Sequence, residues 1–362
     1  MKKKDKLDIL VTGAGGLQGY HLVRDLLEQP QTGMVVGVDD FSRPFLENPM
    51  KWAKTLDDRF ELQKRRYQSL SVSEISDFDV IIHLAASVSV PESMESDEMQ
   101  RAYWENNATG TLDFVIKMMQ TKDWPVLVYA STSETFGNPL TYPMTEEHLQ
   151  NPQSIYAVSK LSAEKIILAH AAWNSFPGVV VRTFNTYGPN QNSGFSDAAV
   201  VALFLKKALT GETLYVHGDG TQTRDFQYAG DAVRAYRMLA LARCSEDMEY
   251  KYTGMQFNTG TGKMTPIRHL ADMVISLTDS MSDVKYSAAR SGDIVALQAD
   301  STKIRNELGW KAEIPLEEGL RRTAEWFRRV DPTLSNVNKK NKKYDKECDK
   351  SDEDYSQLQI SG

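Results

Sequence analysis

Tyr156 and Lys160 stand four residues apart in Ser154 to Trp173, a stretch whose apolar spacing predicts a helix with Asn151-Pro152 as its start signal. That spacing puts a phenol and an ammonium on one helix face. An ammonium beside a phenol favours the phenolate, which suits Tyr156 to removing a proton near neutral pH. Tyr-x-x-x-Lys alone also describes an exposed helix pair, so a second element matters. Thr132, Ser133 and Glu134 run off the end of a predicted strand, Val126 to Ala130. In an open parallel sheet, ligands sit at the carboxyl ends of strands. Two hydroxyls and a carboxylate delivered there can meet a substrate carbinol. The bland alternative for Glu134 is a solvated loop carboxylate.

A third group of residues points to a phosphate-bearing ligand. Thr12-Gly13-Ala14-Gly15-Gly16-Leu17-Gln18-Gly19 follows an apolar run and opens a helical pattern. Glycines at 13, 16 and 19 allow a tight turn, close approach of a pyrophosphate and packing of helix on strand. Free N–H groups at the helix start then face the phosphates. Asp39 lies 20 residues beyond Gly19, at the end of the second predicted strand, with Asp40 beside it. A carboxylate there binds ribose hydroxyls and repels a 2′-phosphate, which selects NAD over NADP. Arg43 lies close enough to alter that preference. The candidate cofactor contacts in this part are Gly13, Gly16, Leu17, Gln18, Gly19, Asp39 and Asp40.

The elements that must carry these residues alternate. Apolar runs at Leu7 to Val11, Met34 to Val38, Val80 to Leu84, Val126 to Ala130 and Val179 to Arg182 read as strands buried on both faces. Helical patterns at Tyr20 to Leu27, Ala108 to Met119 and Ser154 to Trp173 lie between them, which predicts a doubly wound α/β fold. Past Tyr187 the texture changes to a breaker-rich loop, a helix from Ala198 to Leu209, a strand near Leu214 to Val216 and a last helix from Leu316 to Val330. The expected division is residues 1–186 as a dinucleotide-binding domain, to whose sheet later segments also contribute. Residues 187–330 form a smaller substrate-binding region, and 331–362 a disordered tail.

Composition narrows the function. The chain has 362 residues, 41% hydrophobic and 25% charged, ordinary for a globular protein. Lys and Arg number 42 against 49 Asp and Glu, a net charge of −7, which argues against nucleic acid or anionic membrane as a partner. Two cysteines exclude a disulfide framework, and no apolar run approaches membrane-span length. No signal-type apolar core follows the basic start, so a cytoplasmic location is expected. The six histidines show no ligand spacing and no metal is expected; His83 reads as a packed, hydrogen-bonded group.

The motifs together resemble an extended short-chain dehydrogenase/reductase of the NAD-dependent nucleotide-sugar epimerase/dehydratase family. The matching pieces are the glycine loop, His83-Leu84-Ala85-Ala86, Asn107-Ala108-Thr109-Gly110-Thr111, Ser131 to Gly137 and Tyr156-x-x-x-Lys160. Arg182 to Pro189, Gly218 to Phe226 and Arg290-Ser291-Gly292-Asp293 continue them in the family's order, over about residues 7 to 330. The resemblance implies a Rossmann-type doubly wound sheet with a smaller C-terminal substrate region, and NAD as cofactor. It implies that Tyr156 removes the sugar O4 proton, that Lys160 holds the nicotinamide ribose and lowers the tyrosine pKa, and that Thr132 hydrogen-bonds the reacting oxygen. Leu84, Ala85 and Ala86 would pass under the cofactor, and Asn107, counted with them among the cofactor-binding residues, would brace the sheet beside it. Asn185, Arg224 and Arg290 would hold the diphosphate of a nucleotide-sugar substrate. The sequence departs from the family in lacking an adenine-binding Asp within Lys64 to Gln68, and in carrying Phe136 where a Tyr is usual.

The shared chemistry is hydride removal from C4 of the sugar, leaving a transient 4-keto sugar. Thr132-Ser133-Glu134 resembles the triplet of mannose-type 4,6-dehydratases and of UDP-glucuronate decarboxylases. The segments at 143–147, 218–226 and 290–293 resemble epimerases, and an epimerase is the favoured reading over those two. A regulator or scaffold that binds NAD without turnover is the non-enzyme alternative; intact Thr132, Tyr156 and Lys160 argue against it. The family also implies a homodimer through a four-helix interface built from about Glu98 to Gln120 and Ser154 to Trp173.

Overall fold

The computed structural model describes residues 5–43, 49–192, 199–244, 249–289, 294–331 and 334. Its centre is a seven-stranded, all-parallel sheet. The strands are β1 (Leu7–Thr12), β2 (Thr32–Asp39), β3 (Phe60–Lys64), β4 (Val80–His83), β5 (Val126–Thr132), β6 (Gly178–Thr183) and β7 (Gln256–Thr259). They lie in the order β7-β6-β5-β4-β1-β2-β3. The order reverses between β1 and β4, and such a switch point opens a crevice at the carboxyl ends of the strands.

The near-continuous apolar runs have a direct cause. Ile9, Val11, Val80, Ile82, Val126, Val128, Val179 and Val181 face one side and pack with α1 (Leu17–Leu27). Leu10, Ile81, Leu127, Tyr129 and Val180 face the other and pack with α3 (Gly110–Met119), which continues α2 (Asp97–Trp104), and with α4 (Ile155–Asn174). A last helix, α5 (Ala229–Leu241), joins α1 on the first side through Val233, Tyr236 and Leu239. Both faces being dry, neither alternates with polar residues.

The five predicted strands are all present, but β3 and β7 were not anticipated. Both are edge strands. β3 alternates buried Phe60 and Leu62 with the exposed Glu61, and β7 buries Asn258 and Thr259 beside a single large apolar residue, Phe257. The predicted helix at Ala108 starts earlier, because α2 runs through one π turn (Glu105–Thr109) into α3. The start of α4 is set by Ser154, whose side chain accepts the Ala157 N–H, rather than by Asn151-Pro152.

The later segments build a second apolar cluster from helices Val200–Thr210, Ile267–Thr278 and Leu316–Val330, with Leu214 and Val216 of a strand paired to Val284–Ser287. Ala198, the predicted start of the first of these helices, lies outside the described residues. So does the predicted tail apart from Asp331 and Leu334; Leu334 is buried against this cluster. Among the described residues, no helix is long and apolar enough to cross a membrane.

One glycine shows how tightly helix and sheet meet. A Cβ at Gly19 would run into Gly13 O and the backbone of Ala14. Gly19→Ala is expected to lower the denaturation free energy by roughly 1–3 kcal/mol, the usual cost of overpacking. Urea titration followed by circular dichroism measures it.

Candidate active site

The crevice at the switch point is a cavity of about 1150 Å³. Its cofactor side begins where β1 ends. Thr12 Oγ1 accepts the Ala85 N–H at 3.2 Å and lies 2.6 Å from His83 Nδ1. Burial holds the His83 pKa down at about 3, so the ring is a neutral spacer between Thr12 and Thr111. Gly13 has φ +71°, and a Cβ there would lie 2.8 Å from Ala85 N. This close approach seats the glycine loop beside Ala85 and Ala86. At Gly16 the protein offers no such obstacle, its nearest contact being Gly13 O at 3.4 Å. The space a side chain would fill there belongs to the cleft. α1 then starts at Leu17 with neither a side-chain cap nor an acidic residue in its first turn, leaving its N–H groups open to an anion.

Asp39 sits at the end of β2. Its Oδ2 accepts the Gly15 N–H at 3.0 Å and its Oδ1 accepts the Phe41 N–H at 2.9 Å. Burial raises its pKa and these two bonds oppose the rise. Asp40 is 3.9 Å from Arg66. Arg43 is held by Glu92 in an ion pair and donates to Tyr103 at 3.2 Å, so its guanidinium is turned toward the loop before α2. Leu17, Gln18, Gly19, Leu84, Ala85 and Ala86 line the same wall.

Asn107 does not line the cleft. It lies in the π turn, 1% exposed. Its Oδ1 accepts the Ser87 N–H at 2.8 Å, and its Nδ2 donates to Ser87 O at 2.9 Å and Ser159 Oγ at 3.0 Å. It ties the loop after β4 to α4, which is a brace and not a cofactor contact.

The end of β5 and the first turns of α4 bring the other group together. Thr132 accepts the Glu134 N–H at 3.2 Å and caps a short turn, Ser133–Phe136. The Tyr156 phenol, 8% exposed, lies beside the Thr132 side chain. Burial pushes that phenol above its usual pKa; Thr132 pulls it down and the charge of Glu134 pushes it up. Lys160 does not pair with the phenol as the spacing suggested. Its Nζ donates to Ala130 O at 2.7 Å and lies 4.2 Å from the centre of the Tyr129 ring. Burial lowers the Lys160 pKa to about 7, against the pull of Glu164. Thr132, Ser133, Glu134, Tyr156 and Lys160 all face the cleft.

Across from them, Asn185 and Arg224 line the opposite wall. Asn185 Oδ1 is buried without a hydrogen-bond partner, and Arg224 donates to Ile294 O at 2.7 Å. Arg290 lies outside the described residues. Two side chains that sequence reasoning missed join this wall. Asn190 and Gln191 are nearly fully buried, and each has an oxygen without a partner. Asn190, at φ +68°, also donates to Gly15 O at 3.1 Å, linking this wall to the glycine loop. The only signal in the sequence was the breaker-rich loop around them. Among the described residues, no cluster of three or more His, Cys, Asp or Glu could hold a metal ion.

A family model described as GDP-mannose 4,6 dehydratase matches residues 10–323. The chain is 30% identical over 322 residues to UDP-glucose 4-epimerase of Mycolicibacterium smegmatis, covering 88% of this chain and 98% of that one. It is also 30% identical to UDP-glucuronic acid decarboxylase 1 of Xenopus tropicalis, over 91% of this chain and 74% of the relative. Among solved structures it resembles UDP-glucuronic acid 4-epimerase from Bacillus cereus in complex with UDP-glucuronic acid and NAD. That match has a TM-score of 0.80 and 27% identity, over 90% of this chain and 100% of the other.

The Asn107 brace can be separated from cofactor contact. Asn107→Ala leaves the Ser87 amide and carbonyl without their partner in a dry setting, at about 1–3 kcal/mol for each group left unsatisfied. The expected result is a lower melting temperature in protein freed of cofactor. A loss seen only with NAD present would contradict the brace.

Proposed function

Because the chain belongs to the GDP-mannose 4,6 dehydratase family of nucleotide-sugar epimerases, dehydratases and decarboxylases, we propose that it uses NAD to carry a nucleotide-diphosphate sugar through a transient 4-keto form, and that its net reaction is epimerisation. The observation that carries this reading is one cleft in which Thr132, Tyr156 and Lys160 meet an open glycine loop, with Asn185 and Arg224 opposite. Residues 1–186 are read as the NAD-binding unit and 187–330 mainly as the sugar-nucleotide region.

The amides of the loop from Gly13 to Gly19 would hold the pyrophosphate of NAD. Asp39 would hold its adenosine ribose, and Ala85, Ala86 and Lys160 its nicotinamide half. Bound there, NAD supplies the acceptor and donor of a hydride. Tyr156 takes the proton from the sugar O4 while Thr132 hydrogen-bonds the same oxygen. The phenol begins in a dry place that disfavours its ionised form. Thr132 and a positively charged ligand beside it favour the phenolate. Arg224 is suited to the substrate phosphates, with the polar edges of Asn185, Asn190 and Gln191 receiving other parts of the nucleotide sugar. An epimerase then lets the ketone turn and returns the hydride to its other face.

Glu134 favours a second reading. It faces the cleft beside Thr132, where a carboxylate can remove a C5 proton and begin loss of water, as a 4,6-dehydratase requires. A homodimer through α2, α3 and α4 is also proposed, on the exposed Trp104, Ile116 and Trp173 of those helices, and so is a cytoplasmic location.

The deciding experiment is incubation with NAD and a panel of UDP-, GDP-, CDP- and dTDP-sugars, read by mass and NMR. A new diastereomer of unchanged mass is the expected product. Loss of water or of carbon dioxide would replace the epimerase by a dehydratase or a decarboxylase, and no product from any sugar would end the enzymatic reading. Tyr156→Phe should lower kcat by about 10²–10⁴-fold with binding little changed, since only the proton-transferring hydroxyl is lost. Steady-state kinetics on the active sugar check this. Glu134→Gln should be nearly silent if the enzyme is a 4-epimerase and severe if it is a dehydratase.

A further inference from the structure

Tyr156 and Lys160 are followed on the same helix face by a third residue at the same spacing. Glu164 is fully buried and takes part in no step described above. Each of the three meets the end of β5. Tyr156 lies beside Thr132, Lys160 donates to Ala130 O, and Glu164 accepts from Ser131 Oγ. Glu164 also accepts from Arg182 Nε at 3.0 and 3.1 Å, from Arg182 Nη2 at 2.8 Å and from Gln150 Nε2 at 3.0 Å.

Arg182 is likewise fully buried and is the register partner of Ser131 on β6. It donates to Glu146 O at 3.1 Å and lies over the Phe136 ring. The next residue along β6, Thr183, lines the cleft. The ion pair therefore sits directly under the floor of the site and joins α4, β5 and β6.

Stability does not account for such a pair. Well-packed apolar residues in place of a buried ion pair are often neutral or stabilising. α4 is already held on the sheet by Ala163 and Ile167 against Tyr129 and Val180. What an apolar contact lacks is direction. It permits sliding, whereas a carboxylate with this many donors fixes one position. We propose that Glu164 is a positioning residue, which through Ser131 sets the end of β5 against α4 so that Thr132 and Ala130 O meet Tyr156 and Lys160.

Its charge has a second consequence. The ionisable groups facing Lys160 are Glu164 on its own helix, Tyr129 on β5 and the neutral His83 on β4. Glu164 is the anion among them, and it opposes the desolvation of the ammonium. Without it, Lys160 would lose its proton at lower pH.

Two arms test the proposal, and only the first rests on the reading of function given above. Ser131→Ala cuts the tie to the strand and leaves the ion pair intact. With the nucleotide sugar that the wild type converts, it should lower kcat roughly tenfold with KM within about twofold, as a small misplacement of reacting groups does. Ser131→Thr should restore most of the loss. An unchanged kcat, or a lower melting temperature alone, overturns the proposal. The second arm uses NAD alone, titrated by protein fluorescence across the pH range with wild type and Glu164→Gln. Affinity that depends on the Lys160 ammonium falls as pH rises through its pKa. That fall should come about one pH unit earlier in the variant, and an unshifted profile overturns the proposal. Should Glu164→Gln fail to fold, the Ser131 variants decide. Should the wild type bind NAD but convert no sugar, the reading of function fails and the NAD arm still decides.

Discussion

Lys160 brings a charged amine into a place with almost no water. It is 3% exposed, between the end of β5 and a helix, and burial has lowered its pKa to about 7. Moving an ammonium out of water costs several kcal/mol unless partners replace the solvent. The partners here are the Ala130 carbonyl, the Tyr129 ring face and the field of Glu164. Each of these needs a further support. Ala130 O faces the β4 side of β5 and is left to accept because β4 ends at His83, the partner of Tyr129 one residue earlier. Glu164 accepts from Arg182, whose remaining N–H groups need Glu146 O and Gln256 in turn. One dry ammonium thus commits three elements and two strand ends to a single arrangement.

The same arrangement places the cofactor wall. β4 leaves the sheet next to β1 at the switch point, so Ala85 meets Gly13 across a gap too narrow for a side chain. The loop after β4 is then tied back to α4 through Asn107, Ser87 and Ser159. Ser159 immediately precedes Lys160, so the brace and the amine move together. The glycine loop is tied on its other side by Asp39 to Gly15 N and by Asn190 to Gly15 O. The second of these reaches across the cleft from the substrate wall. Shape at the two halves of the site is therefore coupled through a single peptide unit of the loop and its neighbour.

What could be read from the sequence was what is local in it. The glycine loop, the run into Asp39, the Thr132 turn and the Tyr156/Lys160 pair each lie within one strand–turn–helix passage, where spacing alone implies geometry. The buried central strands were legible because a sheet covered on both faces leaves long apolar runs. β3 and β7 were not, because edge strands carry few apolar residues. β7 fills its place with Asn258 and Thr259, bonded to residues more than a hundred positions away in the case of Asn258. Asn107 was read as a cofactor contact because its motif lies near the site. Its actual partners, Ser87 and Ser159, come from other segments, and no spacing rule joins them. The hydrogen-bond partner of Lys160 was not legible for a related reason. Helix spacing puts the two on one face but does not say that a strand carbonyl will take the amine first.

The walls of the cleft also differ in kind. On the side of β5 and α4, Ala130 O, Ser131 Oγ, Lys160 and Glu164 are matched within the protein, and the chemistry there is a matter of small differences among fixed neighbours. On the opposite side, Asn185, Asn190 and Gln191 each keep a buried oxygen without a partner. A buried polar atom left unmatched costs about 1–3 kcal/mol, so three together on one wall of a large cavity are better understood as waiting for a ligand than as defects of packing. Amide oxygens accept hydrogen bonds, and with Asn190 Nδ2 already given to Gly15 O and Gln191 Nε2 to Thr186 O, this wall presents acceptors to the hydroxyls of a ligand.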